Sequence, residues 1–170
     1  AYSAGPYPLS HHGLGDLAVV IFFGIIPVTF TCFLQSGNME GMTIIIPTSV
    51  AVGLLAANVL IVNNYRDMED DAAVGKRTTV VIFGRRFMEL AYLLSGIVGM
   101  ALMAPVWARL TLWALGVPLI YIILHIKVWL RLRQAAGAAL NPLLGRTAIN
   151  LLVFSVLFLC MSISDFRISI

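Results

Sequence analysis

Charge is what this 170-residue sequence has least of. Asp, Glu, Lys and Arg together make up 11% of it, apolar residues make up 60%, and the mean hydropathy is +0.95. A soluble domain carries roughly 25% charged residues, so an aqueous fold of this length lacks the polar surface to cover the rest. That scarcity excludes a soluble globular domain and leaves a polytopic membrane protein. The net charge of +3 is too small to suggest a nucleic-acid partner and reads as the basic flanks of membrane segments. Cysteine is nearly absent as well. Cys32 and Cys160 both lie in apolar runs, which argues against a disulfide framework and for small core side chains. The three histidines, His11, His12 and His125, are too dispersed for a histidine metal site, and no Ser/His/Asp or Cys/His arrangement is evident. Nor do the apolar runs alternate with polar residues as barrel strands would.

What the chain does have is five long apolar runs, approximately 17–34, 42–62, 87–106, 110–130 and 148–164. A spanning helix needs about 20 such residues, so the expected fold is an all-α bundle of about five transmembrane helices in a single domain. Pro27, Pro47 and Pro118 fall inside three of the runs, as membrane helices tolerate. Arg66, Lys76, Arg77, Arg85, Arg86, Lys127, Arg131, Arg133 and Arg146 fall on one face, against Arg109 and Arg167 on the other. Positive charge gathers on the cytoplasmic side, so the segment 63–86, expected as a loop, is placed there. Lys127, Arg131 and Arg133 read as anchors for lipid headgroups, His125 as an interfacial residue, and Trp107, Trp113 and Trp129 as an interface belt. The start, "AYSAGPYPLSHHGLGD", has neither an initiator Met nor a signal-peptide pattern, and is expected to be internal to something longer.

Four of the eight acidic residues crowd into five positions, Asp67, Glu69, Asp70 and Asp71, with Lys76 and Arg77 just after. Asn63, Asp67 and Asp71 stand at i, i+4 and i+8, on one face of a helix prolonging the second run. Two carboxylates and an amide oxygen make a hard oxygen surface suited to Mg²⁺, which completes its shell with water and substrate phosphates. Arg66, Lys76 and Arg77 add cations for phosphate. The pattern points to a diphosphate–metal site with Asn63, Asp67 and Asp71 as ligands. Asp70 lies on the neighbouring face, and Glu69 reads as solvated. The plain alternative is a wet, mixed-charge loop.

"NNYRDMEDDAAVGKRTTVVIFG" resembles the second aspartate-rich motif of the UbiA superfamily of intramembrane prenyltransferases, N-x-x-x-D-x-x-x-D followed by Gly-Lys-x-Thr. The opening "AYSAGPYPLSHHGLGDL" and the late "NPLLGRTA" resemble loops of its menaquinone branch, the 1,4-dihydroxy-2-naphthoate prenyltransferases. The resemblance implies nine helices around a cavity open to lipid, of which this chain matches helices five to nine. It implies two aspartate motifs holding Mg²⁺ and the diphosphate of a polyprenyl donor, one from each half. No second N-x-x-x-D-x-x-x-D occurs here, so an N-terminal half is expected as a further partner. The implied reaction is electrophilic prenylation of an aromatic acceptor, dihydroxynaphthoate, in which Asp67, Asp71, Arg66 and Lys76 carry the chemistry.

Acceptor contacts are assigned to three residues. Tyr2 falls where the family has a tyrosine near the acceptor cavity. His11, with His12, is placed to meet a carboxylate, or is merely wet. Asn58, a buried amide in an apolar run, lines the cavity or pairs with another helix. Two other functions compete. A non-catalytic subunit or transporter would use the charges as a gate, but ion pathways usually show mid-span Asp, Glu or Arg. A CDP-alcohol phosphotransferase would show D-G-x-x-A-R, and the string is absent.

Overall fold

In lipid, a run of Leu, Ile, Val and Ala satisfies its backbone internally only as a helix or a closed barrel, and this chain takes the first course. The computed structural model describes residues 8–38 and 40–168. Among them there is no strand, and five helices are long and apolar enough to cross a membrane. These spans are Gly15–Ser36, Met42–Arg66, Arg85–Trp107, Leu112–Leu132 and Gly137–Ser164. The second is the hub, packing against the first, third and fifth, while the fourth rests on the third and fifth.

Glycine sets the closest crossing. A Cβ on Gly24 would fall 2.5 Å from the Gly53 Cα, so the first and second spans meet backbone to backbone. The first span widens into a π-helical turn at Ile21–Ile25, directly before Pro27, whose ring would collide with a regular preceding turn. Phe22, Phe23, Phe30 and Leu34 of this span are exposed.

Two apolar clusters fill the bundle. Ile61, Tyr65, Val80, Met88 and Leu132 pack at the motif end, and Leu55, Met103, Trp107, Tyr121 and Phe154 at the other. A polar layer separates them. His125 is fully buried, not interfacial: it stacks on Tyr92 at 4.4 Å between ring centres, and its Nε2 lies 2.9 Å from the Tyr92 carbonyl. Gly96 leaves room for that ring, since a Cβ there would fall 2.3 Å from Nε2. Trp107 is likewise a core residue, donating its indole N–H to the Met100 carbonyl, whereas Trp113 is exposed. The two cysteines are free thiols, and neither is a core residue: Cys32 is half-buried and Cys160 exposed.

Helix replaces expected loop in two places. Residues 63–86 contain the short helices Met68–Ala73 and Thr79–Phe83. Asn141–Ile168 starts well before residue 148, with Pro142 in its first turn, where a missing N–H costs nothing. Arg146 therefore sits on a helix.

Candidate active site

The second span ends at Arg66, and Asp67 (φ −90°, ψ 7°) breaks the helix. The expected unbroken helix carrying Asn63, Asp67 and Asp71 is therefore two helices with a joint at Asp67. The i, i+4 relation survives the joint, because Asp67 N donates to the Asn63 carbonyl and Asp71 N to the Asp67 carbonyl. Helix restarts at Met68 with Glu69, Asp70 and Asp71 in its first turn, where negative charge opposes the positive end of the peptide dipoles. Gly75, at φ +73°, turns the chain back, a left-handed conformation that favours glycine. That turn carries Lys76 beneath the helix it has just left.

Two charge pairs result. Arg66 grips Asp67 with both arms, Nε to Oδ1 at 2.6 Å and Nη2 to Oδ2 at 2.8 Å, while Nη2 also reaches Asn63 Oδ1 at 3.0 Å. Asn63 Nδ2 closes the ring onto Asp67 Oδ2 at 3.2 Å. The hydrogen bonds from Arg66 hold the Asp67 carboxyl below its ordinary pKa; partial burial opposes them, and the charges of Arg66 and Lys76 add to the lowering. Deeper in, Lys76 Nζ donates to Asp71 Oδ1 at 2.9 Å. Asp71 is 8% exposed, and its other oxygen, Oδ2, is buried without a partner.

Behind the motif lies a polar cavity of about 230 Å³, lined among others by His11, Asp16, Asn63, Asn64, Lys76 and Thr78. The segment before the first span closes it. Arg77 N donates to the His11 carbonyl at 3.3 Å, and the Thr79 hydroxyl donates to Asp16 Oδ2. Leu60 and Asn63 also line an apolar groove of about 440 Å³ with Val19, Phe23, Leu144 and Leu151. The charged motif, a polar cavity and an apolar groove thus meet at one helix end.

The sequence-assigned residues divide accordingly. Asn63, Arg66, Asp67, Asp71 and Lys76 come together, and His11 joins them across the cavity. Arg77 and Asp70 are exposed, and Glu69 pairs with Arg85 on the surface at 3.2 Å. Asn58 is fully buried and accepts a hydrogen bond from Ser95 Oγ at 2.6 Å, the helix-to-helix alternative of its two readings. Tyr2 lies outside the described residues. Asp16, Asn64, Thr78 and Thr79 went unremarked in the sequence. The signal for Asp16 was there: an isolated acid directly before the apolar run 17–34.

The UbiA prenyltransferase family model matches residues 1–144, most of the chain. This chain belongs to the UbiA prenyltransferase family. Among curated relatives, the 1,4-dihydroxy-2-naphthoate octaprenyltransferase of Escherichia coli K12 is 32% identical over 160 residues, 92% of this chain and 51% of that protein. Its Haemophilus influenzae namesake is 43% identical over 83 residues, 49% of this chain and 26% of that one. The 2-carboxy-1,4-naphthoquinone phytyltransferase of Synechocystis is 31% identical over 85 residues, 50% of this chain and 27% of that one. The chain spans about half the length, or less, of the curated relatives it matches. No solved structure matches it. Membership places this UbiA chain among polytopic membrane proteins, in keeping with its five spans.

The donor set of this UbiA member suits a hard divalent cation. Its atoms are all oxygens, and Asp71 Oδ2 lacks the partner that a buried carboxylate oxygen requires. Arg66 already bridges Asn63 Oδ1 to Asp67, so positive charge fits between those two residues. No cluster of three acidic, His or Cys side chains suited to a metal occurs among the described residues. Asn63, Asp67 and Asp71 offer side-chain oxygens at one helix end, with the two carboxylates already engaged by Arg66 and Lys76.

Proposed function

We propose that this chain forms the diphosphate-binding side of an enzyme that moves a polyprenyl group from its diphosphate to 1,4-dihydroxy-2-naphthoate, a step of menaquinone biosynthesis. The observation that carries the reading is the meeting of a carboxylate-and-cation motif and an apolar groove at one helix end. A polyprenyl diphosphate has that same division, a multiply charged head on an apolar tail. The names of the relatives supply the acceptor.

Asn63, Asp67 and Asp71 would hold Mg²⁺, which supplies charge neutralisation to the leaving diphosphate. Arg66 exchanges its bonds to Asp67 for phosphate oxygens, freeing that carboxylate. Lys76 and the exposed Arg77 add donors where negative charge grows. As the C1–O bond to diphosphate breaks, the carboxylate-bearing ring carbon of the acceptor forms its bond to C1. Leu60, Val59 and Phe23 keep water from the allylic cation. The ring then regains aromaticity by releasing its carboxyl group as carbon dioxide. Lipid remains in contact with the tail throughout.

Two further elements belong to this reading. The motif faces the cytoplasm, in line with the nine-to-two division of Lys and Arg. The opposite wall comes from an N-terminal half bearing the other aspartate motif, since one stripe supplies oxygen from one side only. Membranes containing the full-length protein, given polyprenyl diphosphate and dihydroxynaphthoate, should form a prenylated naphthoquinol only with Mg²⁺. Asp67→Ala should abolish product while Glu69→Ala is mild. Full turnover by Asp67→Ala would refute the assignment.

A further inference from the structure

Three buried side-chain oxygens without a hydrogen-bond partner, Ser10 Oγ, Asp16 Oδ1 and Thr78 Oγ1, belong to residues that line one and the same cavity. Buried polar atoms in folded proteins are nearly always paired, and an unpaired carboxylate oxygen is the costliest of these to leave so. Asp16 is also held in place. Thr79 donates to its Oδ2, which fixes the carboxylate and leaves Oδ1 as its unpaired oxygen. No basic side chain forms an ion pair with Asp16 among the described residues, and Lys76, on the same wall, is engaged by Asp71.

These features select a ligand by chemistry. A carboxylate on the lining repels a phosphate, so the diphosphate belongs at the motif end, beside Asn63 and Lys76 and away from Asp16. A divalent cation would seek several carboxylates, and Asp16 is the one carboxylate among the described lining residues. What remains is a neutral donor, an O–H. The cavity, about 230 Å³, is smaller than the neighbouring apolar grooves of about 370 and 440 Å³ and suits a compact ring better than a prenyl chain. It also shares Leu60 and Asn63 with the larger groove, so a ring seated here abuts the place where a prenyl C1 would lie.

We propose that this cavity is the seat of the acceptor's hydroxyl-bearing edge, with Asp16 Oδ1 receiving a ring O–H and the Thr78 and Ser10 hydroxyls completing the contact. The assignment rests on the prenyl-transfer reading for the identity of the ring. It adds the residue that distinguishes a hydroxylated arene from a bare one.

The test compares dihydroxynaphthoate with 2-naphthoate, which lacks the ring hydroxyls, using the full-length protein in detergent. Equilibrium binding of both is followed by fluorescence, and the KM of each substrate is measured in parallel. In Asp16→Asn the affinity for dihydroxynaphthoate should fall about tenfold or more, as loss of a hydrogen bond to a charged group predicts. Binding of 2-naphthoate, the KM for polyprenyl diphosphate and the Mg²⁺ requirement should stay within about twofold of the wild type, a margin well inside that tenfold effect. Thr78→Val, which keeps the shape and deletes the hydroxyl, should show the same selective loss to a smaller degree and serves if Asp16→Asn does not fold. Equal loss for both arenes, an altered Mg²⁺ requirement, or unchanged dihydroxynaphthoate binding would each overturn the proposal. Asp16-dependent binding without any turnover would instead count against the transfer reading and leave this site standing.

Discussion

Lys76→Met separates the structural from the proposed chemical duty of the motif. Lys76 Nζ lies 2.9 Å from Asp71 Oδ1, and the two side chains are 23% and 12% exposed. Removing the ammonium strands a carboxylate whose Oδ2 already lacks a partner. Breaking a buried pair from one side costs about 3–5 kcal/mol. The residual exposure of both groups argues for the lower end, about 3 kcal/mol, or roughly a hundredfold in the folding equilibrium. Arg66→Met is the control. The Arg66–Asp67 pair is 29% and 31% exposed, and a partly exposed pair of this kind contributes about 0–1 kcal/mol. The double variant Lys76→Met/Asp71→Leu replaces the pair with apolar groups and should recover stability to within about 1 kcal/mol of wild type, while remaining inactive. Reversible unfolding in mixed micelles measures all four proteins. Lys76→Met as stable as Arg66→Met would show that the Asp71 carboxylate is not buried as described.

Other outcomes follow from single features. The folded Asp67 carboxyl titrates below its ordinary value of 3.8, so its stabilising contribution is present above that pH and is lost as pH falls through the folded value; the acid dependence of unfolding should flatten in Arg66→Met. Gly96→Val pushes a side chain into the His125 ring, and overpacking should cost about 1–3 kcal/mol in the same unfolding assay. Single cysteines at 70 and 134 should react from the cytoplasmic side in cells, and one at 38 from outside; external labelling at 70 would reverse the orientation.

The spans were legible because lipid demands the same thing at every position, an apolar side chain on a helical backbone. Their ends were less so. The fifth span begins with a 3-10 turn at Gly137–Leu140, its α-helix starts at Asn141 well before hydropathy rises, and Arg146 is carried along its first turns. The motif's residue types and spacing were visible, but the joint at Asp67 was not. It depends on the competing start of a new helix at Met68. The polar layer was hidden for another reason. Asn58 meets Ser95, His125 meets Tyr92 and Tyr92 meets Thr147 across separations of 37, 33 and 55 residues, and only tertiary packing decides which polar side chains pair. Asp16 was missed likewise, its partner Thr79 being 63 residues away.

That Asn63, Asp67 and Asp71 hold a metal-bound diphosphate is tested most directly by binding without turnover. A prenyl thiolodiphosphate, whose C–S bond resists cleavage, is titrated into the full-length protein with and without Mg²⁺. Wild type should bind it at least tenfold more tightly with Mg²⁺ present, a conservative threshold for loss of one charged contact. Asp67→Ala and Asp71→Asn should lose that enhancement while keeping the Mg²⁺-free affinity. Equal Mg²⁺ enhancement in wild type and both variants would contradict the account.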